Sequence, residues 1–404
     1  MAAHLDKSLL VKIAEEFGTP VYVYHAERIK EQYDKLQKAF DIPGVRFFYA
    51  CKALTNINIL RLIRSIGCNI DCSSINEVML ALKAGFAPKN ILYTSNNISF
   101  SEIEQAQEFA VNINIDSISN LEKFGKRFGH SYPVGIRLRP NIMAGGNLKI
   151  STGHQDSKFG IPMEQIDRVV EIVKQTNLHI RHLHIHTGSD IKDVEVFAKG
   201  IEVLLDIAPY FPELEVMDLG GGFKVPYKPG DEQTDIRALG GKVAEEFDQF
   251  LHQPEKKTEV WFEPGKFLVS SAGYLITQVN VLKESVSNTF AGVDTGLNHF
   301  IRPMFYGAYH TIENISNPQG PLNVYTVVGN ICETDTFAQA RQINEIREGD
   351  YLLFHNAGAY GFEMSSNYNS RCRPAEVLVR EGKAHLIRER EQFDDLLSKQ
   401  IDLS

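Results

Sequence analysis

The length of this 404-residue chain indicates a globular protein of roughly two or three domains. Hydrophobic residues make up 43% of the sequence and charged residues 23%, which excludes a disordered, collagen-like or disulfide-stapled chain. The net charge of -9 would repel a phosphate backbone, so nucleic acid is excluded as a partner.

Short β-rich runs alternate with segments of helical periodicity between residues 46 and 265. Eight runs are predicted as strands, at residues 46–51, 69–72, 90–95, 111–116, 133–138, 180–186, 216–220 and 259–263. Apolar residues at three- and four-residue spacing follow each run, for example over 75–86 and 164–175, which predicts a helix after each strand. Eight such pairs favour a (β/α)8 TIM-type barrel over residues 26–270. A doubly wound open sheet is the alternative, because strand count alone does not prove closure.

The sequence pattern changes after residue 270, where helical stretches become few. The β-like segments there, separated by turns, are residues 274–284, 289–295, 323–330, 350–357 and 375–388. We predict an all-β domain formed by residues 271–404. The run at residues 20–25 has the same β character, so residues 1–25 are assigned to this domain as well.

The five cysteines are odd in number and scattered, without a paired CxxC motif. This pattern favours a reducing cytoplasm over a disulfide framework or a structural zinc site. The N-terminal segment reaches Glu15 and Glu16 before any long apolar run, and no later stretch approaches about 18 uninterrupted apolar residues. We therefore expect a cytoplasmic protein that is neither exported nor inserted in a membrane.

Polar groups at the carboxyl ends of barrel strands form the active sites of this fold. The candidates here, in chain order, are Lys52, His186, Ser189, Gly220, Gly221, Gly222, Glu263, Gly265 and Lys266. Three successive glycines let backbone N–H groups approach an anion, and the loops after strands seven and eight commonly bind phosphate. Ser189 and Lys266 can add a hydroxyl and a cation to such a site.

A phosphate site, a lysine and a strand-end carboxylate together meet the needs of pyridoxal phosphate. Lys52 would hold the cofactor covalently, Glu263 would keep its ring nitrogen protonated, and His186 would stack on its ring. Taken alone, Lys52 is typical of a snorkelling surface lysine, and the strand histidines His182, His184 and His186 are typical of packing residues. Only the combination points to a cofactor.

The order of motifs along nearly the whole chain resembles the fold-type III pyridoxal-phosphate decarboxylases. The motifs are YACKAL (49–54), ISTGHQDSKFGI (150–161), HIHTGSD (184–190), DLGGGF (218–223), EPGK (263–266), DTGLNHFIRPMFYGAYH (294–310), CETD (332–335) and GAYGFEMSSNYNSRCRPAEVLV (358–379). The resemblance implies an amino-acid decarboxylase that uses pyridoxal 5′-phosphate.

The resemblance also implies roles for residues that the spacing alone does not assign. Tyr360, with Ser189, Gly220 to Gly222, Gly265 and Lys266, would help to hold the cofactor. Arg302, Tyr306 and Glu333, with Lys266 and Tyr360, would recognise the substrate. Cys332 would donate a proton after carbon dioxide leaves. Members of this family form head-to-tail homodimers in which the Cys-Glu pair reaches the partner's cofactor, so a monomer would lack a complete site.

Three positions depart from the family pattern. Lys266 stands where the family usually has Arg, which keeps the charge but loses the planar fork suited to a carboxylate. Asp190 replaces the usual Gln, and Arg139 occupies the place of the usual Asn in the RxNP motif. The sequence offers no account of the last two changes.

Other functions remain open on the sequence. The HxH pattern also suits a metal-dependent hydrolase, but that interpretation leaves Lys52 and the triple glycine unexplained, and no metal is predicted. A non-catalytic cofactor-binding protein is a second alternative, against which Cys332, Glu333 and Tyr360 argue. Within the enzymes, an ornithine or polyamine-precursor decarboxylase and an amino-acid racemase are the rivals. Arg302 with Lys266 favours a small amino-acid substrate that carries a second carboxylate.

Overall fold

The computed structural model describes residues 5–142, 153–154, 157–252 and 257–403, and these divide into two compact units. The barrel unit comprises the described residues of Gln32–Val225 and Glu232–Phe267. The β unit comprises those of Met1–Glu31, Pro226–Asp231 and Leu268–Ser404. Residues 150–152 and 155–156 of the predicted motif at 150–161 lie outside the described residues.

The strands are numbered along the described residues of both units. They are β1 (Val21–His25), β2 (Val45–Ala50), β3 (Asn69–Cys72), β4 (Ile91–Thr94), β5 (Asn112–Ile115), β6 (Val134–Arg139), β7 (Ile161–Pro162), β8 (Ile180–Ile185), β9 (Val216–Asp218), β10 (Glu259–Phe262), β11 (Gly273–Glu284), β12 (Thr289–Val293), β13 (Ile312–Asn314), β14 (Leu322–Val328), β15 (Thr336–Asn344), β16 (Tyr351–Phe354), β17 (Ala375–Arg380) and β18 (Lys383–Arg388).

The helices are numbered in the same way. They are α1 (Lys7–Phe17), α2 (Ala26–Ala39), α3 (Ile57–Ser65), α4 (Ile75–Ala84), α5 (Phe100–Glu108), α6 (Ile118–Phe128), α7 (Ile166–Thr176), α8 (Val194–Ile207), α9 (Ile236–Glu246), α10 (Asp248–Leu251), α11 (Lys266–Val269), α12 (Arg302–Tyr306) and α13 (Phe393–Leu397). Among the described residues, every helix is too short or too polar to cross a membrane.

The barrel unit is a closed cylinder of eight parallel strands. The order around it is β2, β3, β4, β5, β6, β8, β9 and β10, and β10 pairs back to β2 with Val260 opposite Val45. All eight predicted strands are present, with ends that differ from the prediction by at most two residues. The predicted barrel is therefore confirmed over the open sheet.

The interior of the barrel is filled by side chains. Phe48, Leu92, Val216 and Trp261 come from four strands and form one buried cluster. The rings of Phe48 and Trp261 lie 4.3 Å apart between centroids, and His182 packs on Trp261 at 4.7 Å. Because the centre is packed rather than hollow, functional groups can reach a ligand only from the rim.

Local sequence signals set the ends of the barrel helices, as α4 illustrates. The Ser74 side chain accepts a hydrogen bond from the backbone of Glu77, and the Glu77 carboxylate accepts one from the backbone of Ser73. This reciprocal pairing satisfies backbone donors that the first turn leaves free. The helix ends at Gly85, whose φ of 92° is favourable for glycine. The turn after β3 is thereby held in place.

The β unit is built on a sheet with the strand order β15-β14-β12-β11-β1-β17-β18, and β16 pairs with β11 and β13. The five residues of β1 are all buried, and this strand pairs antiparallel with β11 and parallel with β17. The Tyr24 hydroxyl donates to Glu376 Oε1 at 2.8 Å. Strands β13 and β15 were not predicted from the sequence.

Two adjacent glycines in α9 provide a matched test of the close packing in the barrel unit. A Cβ on Gly240 would lie 1.9 Å from the carbonyl oxygen of Ala39 at the end of α2, whereas a Cβ on Gly241 would have no atom within 4 Å. Gly240→Ala should destabilise the protein by about 1–3 kcal/mol through overpacking. Gly241→Ala should stabilise it by about 0.5–1 kcal/mol through helix propensity.

Chemical denaturation of the two variants beside the parent protein measures both effects. Equal stability of the two alanine variants would contradict the close approach of α9 to α2.

Candidate active site

The rim of the barrel unit brings together the groups that the sequence placed at strand ends. Lys52 is exposed in the turn after β2, and His186 and Glu263 directly follow β8 and β10. The charge of Lys52 acts on Glu263 and on the neighbouring Asp71. The backbone N–H of Gly221 donates to His186 Nδ1 at 3.2 Å, which fixes the orientation of the imidazole ring.

Glu263 carries the buried negative charge of this site. Its carboxylate is almost fully buried, and His184 Nε2 lies 3.4 Å from Oε1. Burial opposes ionisation, but His184, Lys52 and His186 outweigh it and hold the pKa of the Glu263 carboxyl well below its usual range. The surroundings of Glu263 therefore favour its ionised form.

Two further carboxyl groups, which the sequence reasoning did not assign, lie in the same cluster. Burial and the charge of Glu263 raise the pKa values of Asp71 and Asp218 well above their usual range. The backbone N–H of Gly220 donates to Asp218 Oδ1 at 2.9 Å. Both shifts favour the protonated form of these two carboxyls beside Glu263. The only signal available in the sequence was their place near a strand end, since Asp71 is the third of four residues in β3 and Asp218 is the last of β9.

Burial disfavours the charged form of the three strand histidines, while Glu263 favours it in His184 and His186. Burial lowers the pKa values of His182, His184 and His186, and the positive charges of Arg137 and Lys52 lower that of His186 further. His182 and His184 lie inside the barrel, whereas His186 is only half-buried at its mouth. An uncharged imidazole at the mouth presents a flat apolar face to a ligand.

The glycines after β9 pack so closely against neighbouring backbone that a side chain at Gly221 or Gly222 would clash. A Cβ on Gly221 would lie 2.4 Å from the carbonyl oxygen of Glu263, and one on Gly222 would lie 2.5 Å from that of Gly188. Gly220 and Gly222 also have φ values of 66° and 102°, which favour glycine. Such bare backbone suits an anion, so the loop fits the phosphate of pyridoxal phosphate, and the buried Glu263 carboxylate fits its ring nitrogen.

The structure gives two of the sequence departures a common explanation. Lys266 Nζ pairs with the Asp190 carboxylate, and the lysine side chain is only 9% exposed. Asp190 has a φ of 61°, a left-handed conformation that Asp tolerates better than most residues. Arg139, the third departure, donates to the carbonyl oxygen of Ser157. Lys266 and Asp190 thus form a charge pair in the loops that follow β10 and β8.

The β unit holds the other predicted site residues. Arg302 is buried, with its guanidinium carbon 5.3, 5.6 and 5.9 Å from the ring centroids of Tyr227, Tyr306 and Tyr360. Its Nη2 donates to the Tyr227 hydroxyl at 3.4 Å, and among the described residues no carboxylate pairs with it. Tyr227 was missed by the sequence reasoning, because it lies between barrel elements in the chain although it belongs to the β unit.

Cys332 and Glu333 lie in an exposed turn between β14 and β15. The hydroxyl of Tyr368 contacts both, at 3.5 Å from the Cys332 sulfur and 2.8 Å from Glu333 Oε1. Tyr368 was not assigned from the sequence, where it is one tyrosine within a longer motif.

A metal-binding geometry is also present among the described residues. One oxygen or nitrogen of each of His184, Asp218 and Glu263 lies within 4.8 Å of the others, as do those of His130, His179 and Glu213 at the surface. The first group is buried, and Lys52 acts on Glu263 within it. A metal ion accounts neither for this lysine nor for the glycine loop after β9, whereas pyridoxal phosphate accounts for both.

Comparison with known proteins identifies the class. A family model described as the pyridoxal binding domain of pyridoxal-dependent decarboxylases matches residues 26–270. The fold and the site thus define a pyridoxal-phosphate-dependent amino-acid decarboxylase, with pyridoxal 5′-phosphate as its cofactor.

Individual relatives identify the family within this class of enzymes. The diaminopimelate decarboxylase of Methanothermobacter thermautotrophicus is 42% identical over 400 residues, covering 96% of this chain and 93% of the relative. That of Aquifex aeolicus is 35% identical, covering 98% and 94%. The crystal structure of diaminopimelate decarboxylase from Helicobacter pylori complexed with L-lysine is 31% identical, covers 96% of this chain and 98% of that one, and has a TM-score of 0.88. The chain belongs to the diaminopimelate decarboxylase family.

The Lys266–Asp190 pair predicts coupled effects on stability. Lys266→Met and Asp190→Asn should each destabilise the protein, because each leaves one charge of the pair without its partner. The double variant should lose less than the sum of the two, with a coupling of about 1–2 kcal/mol. Chemical denaturation of all four cofactor-free proteins measures this cycle. Additive losses would mean that the two side chains do not act as a pair.

Proposed function

We propose that the protein decarboxylates meso-2,6-diaminopimelate to L-lysine and carbon dioxide, as a step of lysine biosynthesis. The observation that carries the proposal is Arg302, a buried guanidinium among three tyrosine rings without a carboxylate partner among the described residues. A buried cation left unpaired is costly, so this position calls for an anion from the ligand. Diaminopimelate has a second carboxylate to offer, and ornithine does not.

The barrel residues hold the cofactor in this proposal. When bound, pyridoxal phosphate supplies a ring that accepts the electron pair released with carbon dioxide. Lys52 would hold it covalently, and His186 would stack on its ring. The backbone of Gly220, Gly221 and Gly222, with Ser189, Gly265 and Lys266, would hold its phosphate, and the family resemblance adds Tyr360.

Glu263 supplies the fixed negative charge opposite the ring nitrogen. Because its pKa is lowered, it stays ionised and holds that nitrogen protonated. The raised pKa values of Asp71 and Asp218 favour their neutral forms, so Glu263 is the carboxylate that provides the negative charge.

The β-unit residues recognise the substrate and deliver a proton. Arg302 pairs with the distal carboxylate, with Tyr306 and Tyr360 beside it. The family resemblance also implies a substrate role for Lys266, which lies in the barrel unit. Glu333 accepts from the distal ammonium. Cys332 Sγ gives its proton to the carbon atom from which carbon dioxide has left.

We place the active enzyme in a cytoplasmic homodimer, with Cys332 and Glu333 serving the partner's cofactor. All five cysteines are free, and Cys51 Sγ and Cys72 Sγ lie 4.0 Å apart without a bond. The odd number of scattered cysteines without a CxxC motif supports the cytoplasmic location.

Substrate choice tests the proposal. Carbon dioxide release should be fastest from diaminopimelate, and Arg302→Ala should reduce this rate at least about a hundredfold while changing the slow release from lysine or ornithine far less. Arg341→Ala is a matched control, because the Arg341 guanidinium also stacks on a tyrosine, 3.8 Å from the ring centroid of Tyr309.

The rates with all three substrates are measured for the parent protein and both variants. A parent protein that prefers ornithine would instead support the ornithine decarboxylase, and equal losses on every substrate would remove Arg302 from distal recognition.

Mixing two inactive variants tests the shared site. Lys52→Ala removes the cofactor lysine of the site, and Cys332→Ala removes its proton donor. Half of the dimers in a statistical mixture of re-equilibrated subunits are mixed, and each has one intact site of two, so the mixture should regain about a quarter of the parent activity. Native mass spectrometry checks that mixed dimers form. Mixed dimers without activity would mean that Lys52 and Cys332 serve the same subunit's site.

A further inference from the structure

Two residues outside the proposed machinery, Tyr368 and Asn369, hold the turn that carries Cys332 and Glu333. The backbone N–H of Cys332 donates to Asn369 Oδ1 at 3.0 Å, and Asn369 Nδ2 donates to the Cys332 sulfur at 3.1 Å. Both polar atoms of the amide are therefore used on one residue. Asn369 has a φ of 56°, a left-handed conformation that Asn adopts more readily than most residues.

A hydrogen bond from a side chain to the backbone also holds the turn that carries Cys332. Arg371 Nη2 donates to the carbonyl oxygen of Asn330 at 3.0 Å, which ties the loop after Phe362–Met364 to the turn before Cys332. The position of Tyr368 relative to the thiol is thus set by contacts on either side of it.

Tyr368 has one hydroxyl proton and two acidic neighbours. The hydroxyl donates to Glu333 Oε1 at 2.8 Å and lies 3.5 Å from the Cys332 sulfur. Because a tyrosine hydroxyl has a single hydrogen, the contact with Cys332 must then be donated by the thiol. The hydrogen bonds consequently run in one direction, from Cys332 through Tyr368 to Glu333.

We propose that Tyr368 is a positioning residue that links the two: when Glu333 binds the ammonium of a substrate, the Tyr368 hydroxyl is released to donate to the Cys332 sulfur. This inference rests on the proposed function, in which Glu333 binds an ammonium group and Cys332 donates a proton. An ammonium is a stronger partner for the carboxylate than a neutral hydroxyl, so it displaces the hydroxyl.

The link acts at the step in which Cys332 donates. The S–H bond breaks, a C–H bond forms, and the negative charge that was on carbon ends on the sulfur. Tyr368 Oη and Asn369 Nδ2 then both donate to the thiolate. Hydrogen bonds from Tyr368 and Asn369 lower the pKa of the Cys332 thiol, and the charge of Glu333 opposes them. The thiol becomes a still stronger acid when the substrate is in place, because Glu333 then no longer competes for the Tyr368 hydroxyl.

The pH dependence of Cys332 alkylation by iodoacetamide tests this link in the cofactor-loaded protein. The thiolate is the reactive form, so the midpoint of the rate profile between about pH 5 and 10 reports the pKa of the thiol. Cys51, Cys68 and Cys72 are buried, and Cys372→Ser in every variant removes the other accessible thiol. Peptide mapping confirms that Cys332 is the residue modified.

Tyr368→Phe should move the midpoint upward by about one pH unit, because the ionised thiol competes with Glu333 for the hydrogen bond of the hydroxyl and the variant loses this donor. Asn369→Asp, which keeps the acceptor for the Cys332 backbone but loses the amide donor, should also move it upward. Glu333→Gln should lower the midpoint, and should do so less in a Tyr368→Phe background. Tyr210→Phe, at an exposed tyrosine of the chain, is the control and should change nothing.

An unchanged midpoint in Tyr368→Phe, or an equal effect of Glu333→Gln with and without the hydroxyl, would overturn the link. The two hypotheses fail separately. A parent protein that releases no carbon dioxide from diaminopimelate contradicts the proposed function, whereas the alkylation profiles judge Tyr368 in either case.

Discussion

The burial of one negative charge, that of Glu263, is the constraint on which the barrel site depends. A buried carboxylate is tolerated only where opposite charges and dipoles offset its lost hydration. Lys52, His184 and His186 provide this in the barrel unit, and the charge of Glu263, together with burial, raises the pKa values of the neighbouring Asp71 and Asp218. A closed barrel makes the arrangement possible, because eight strand ends converge on one rim.

The β unit follows the same rule with the opposite sign. Arg302 keeps its positive charge inside a cage of tyrosine rings, where cation–π contacts replace part of its hydration. These contacts do not satisfy a guanidinium as a carboxylate would, so the residue retains a strong preference for an anion. Under the proposed function, specificity for a dicarboxylic substrate arises because Arg302 has no carboxylate partner among the described residues until the substrate binds. In the same unit, the single hydroxyl of Tyr368 contacts both Cys332 and Glu333.

Much of the fold could be read from the sequence, because its signals are local. Each barrel strand is a short apolar run between turn residues, and each following helix repeats apolar residues at helical spacing, as in residues 75–86. Strand β15 was missed since its residues, Thr336–Asn344, alternate only weakly, and a strand at the end of a sheet is held mainly by its pairing with β14. The composition of Tyr227 and its neighbours gave no sign that residues 226–231 belong to the β unit.

The sequence by itself determined the strand and helix order, the glycine loop and the chemical types at the strand ends, because these depend on neighbours along the chain. The tertiary structure alone decided which groups are partners. Lys266 and Asp190 are 76 positions apart, and Tyr368 and Cys332 are 36 apart, so neither pair has a local signal. The tertiary structure also decided the pKa values at the barrel rim. The pKa is raised for Asp71 and Asp218 but lowered for Glu263, because burial and the interactions between charges depend on distances in space.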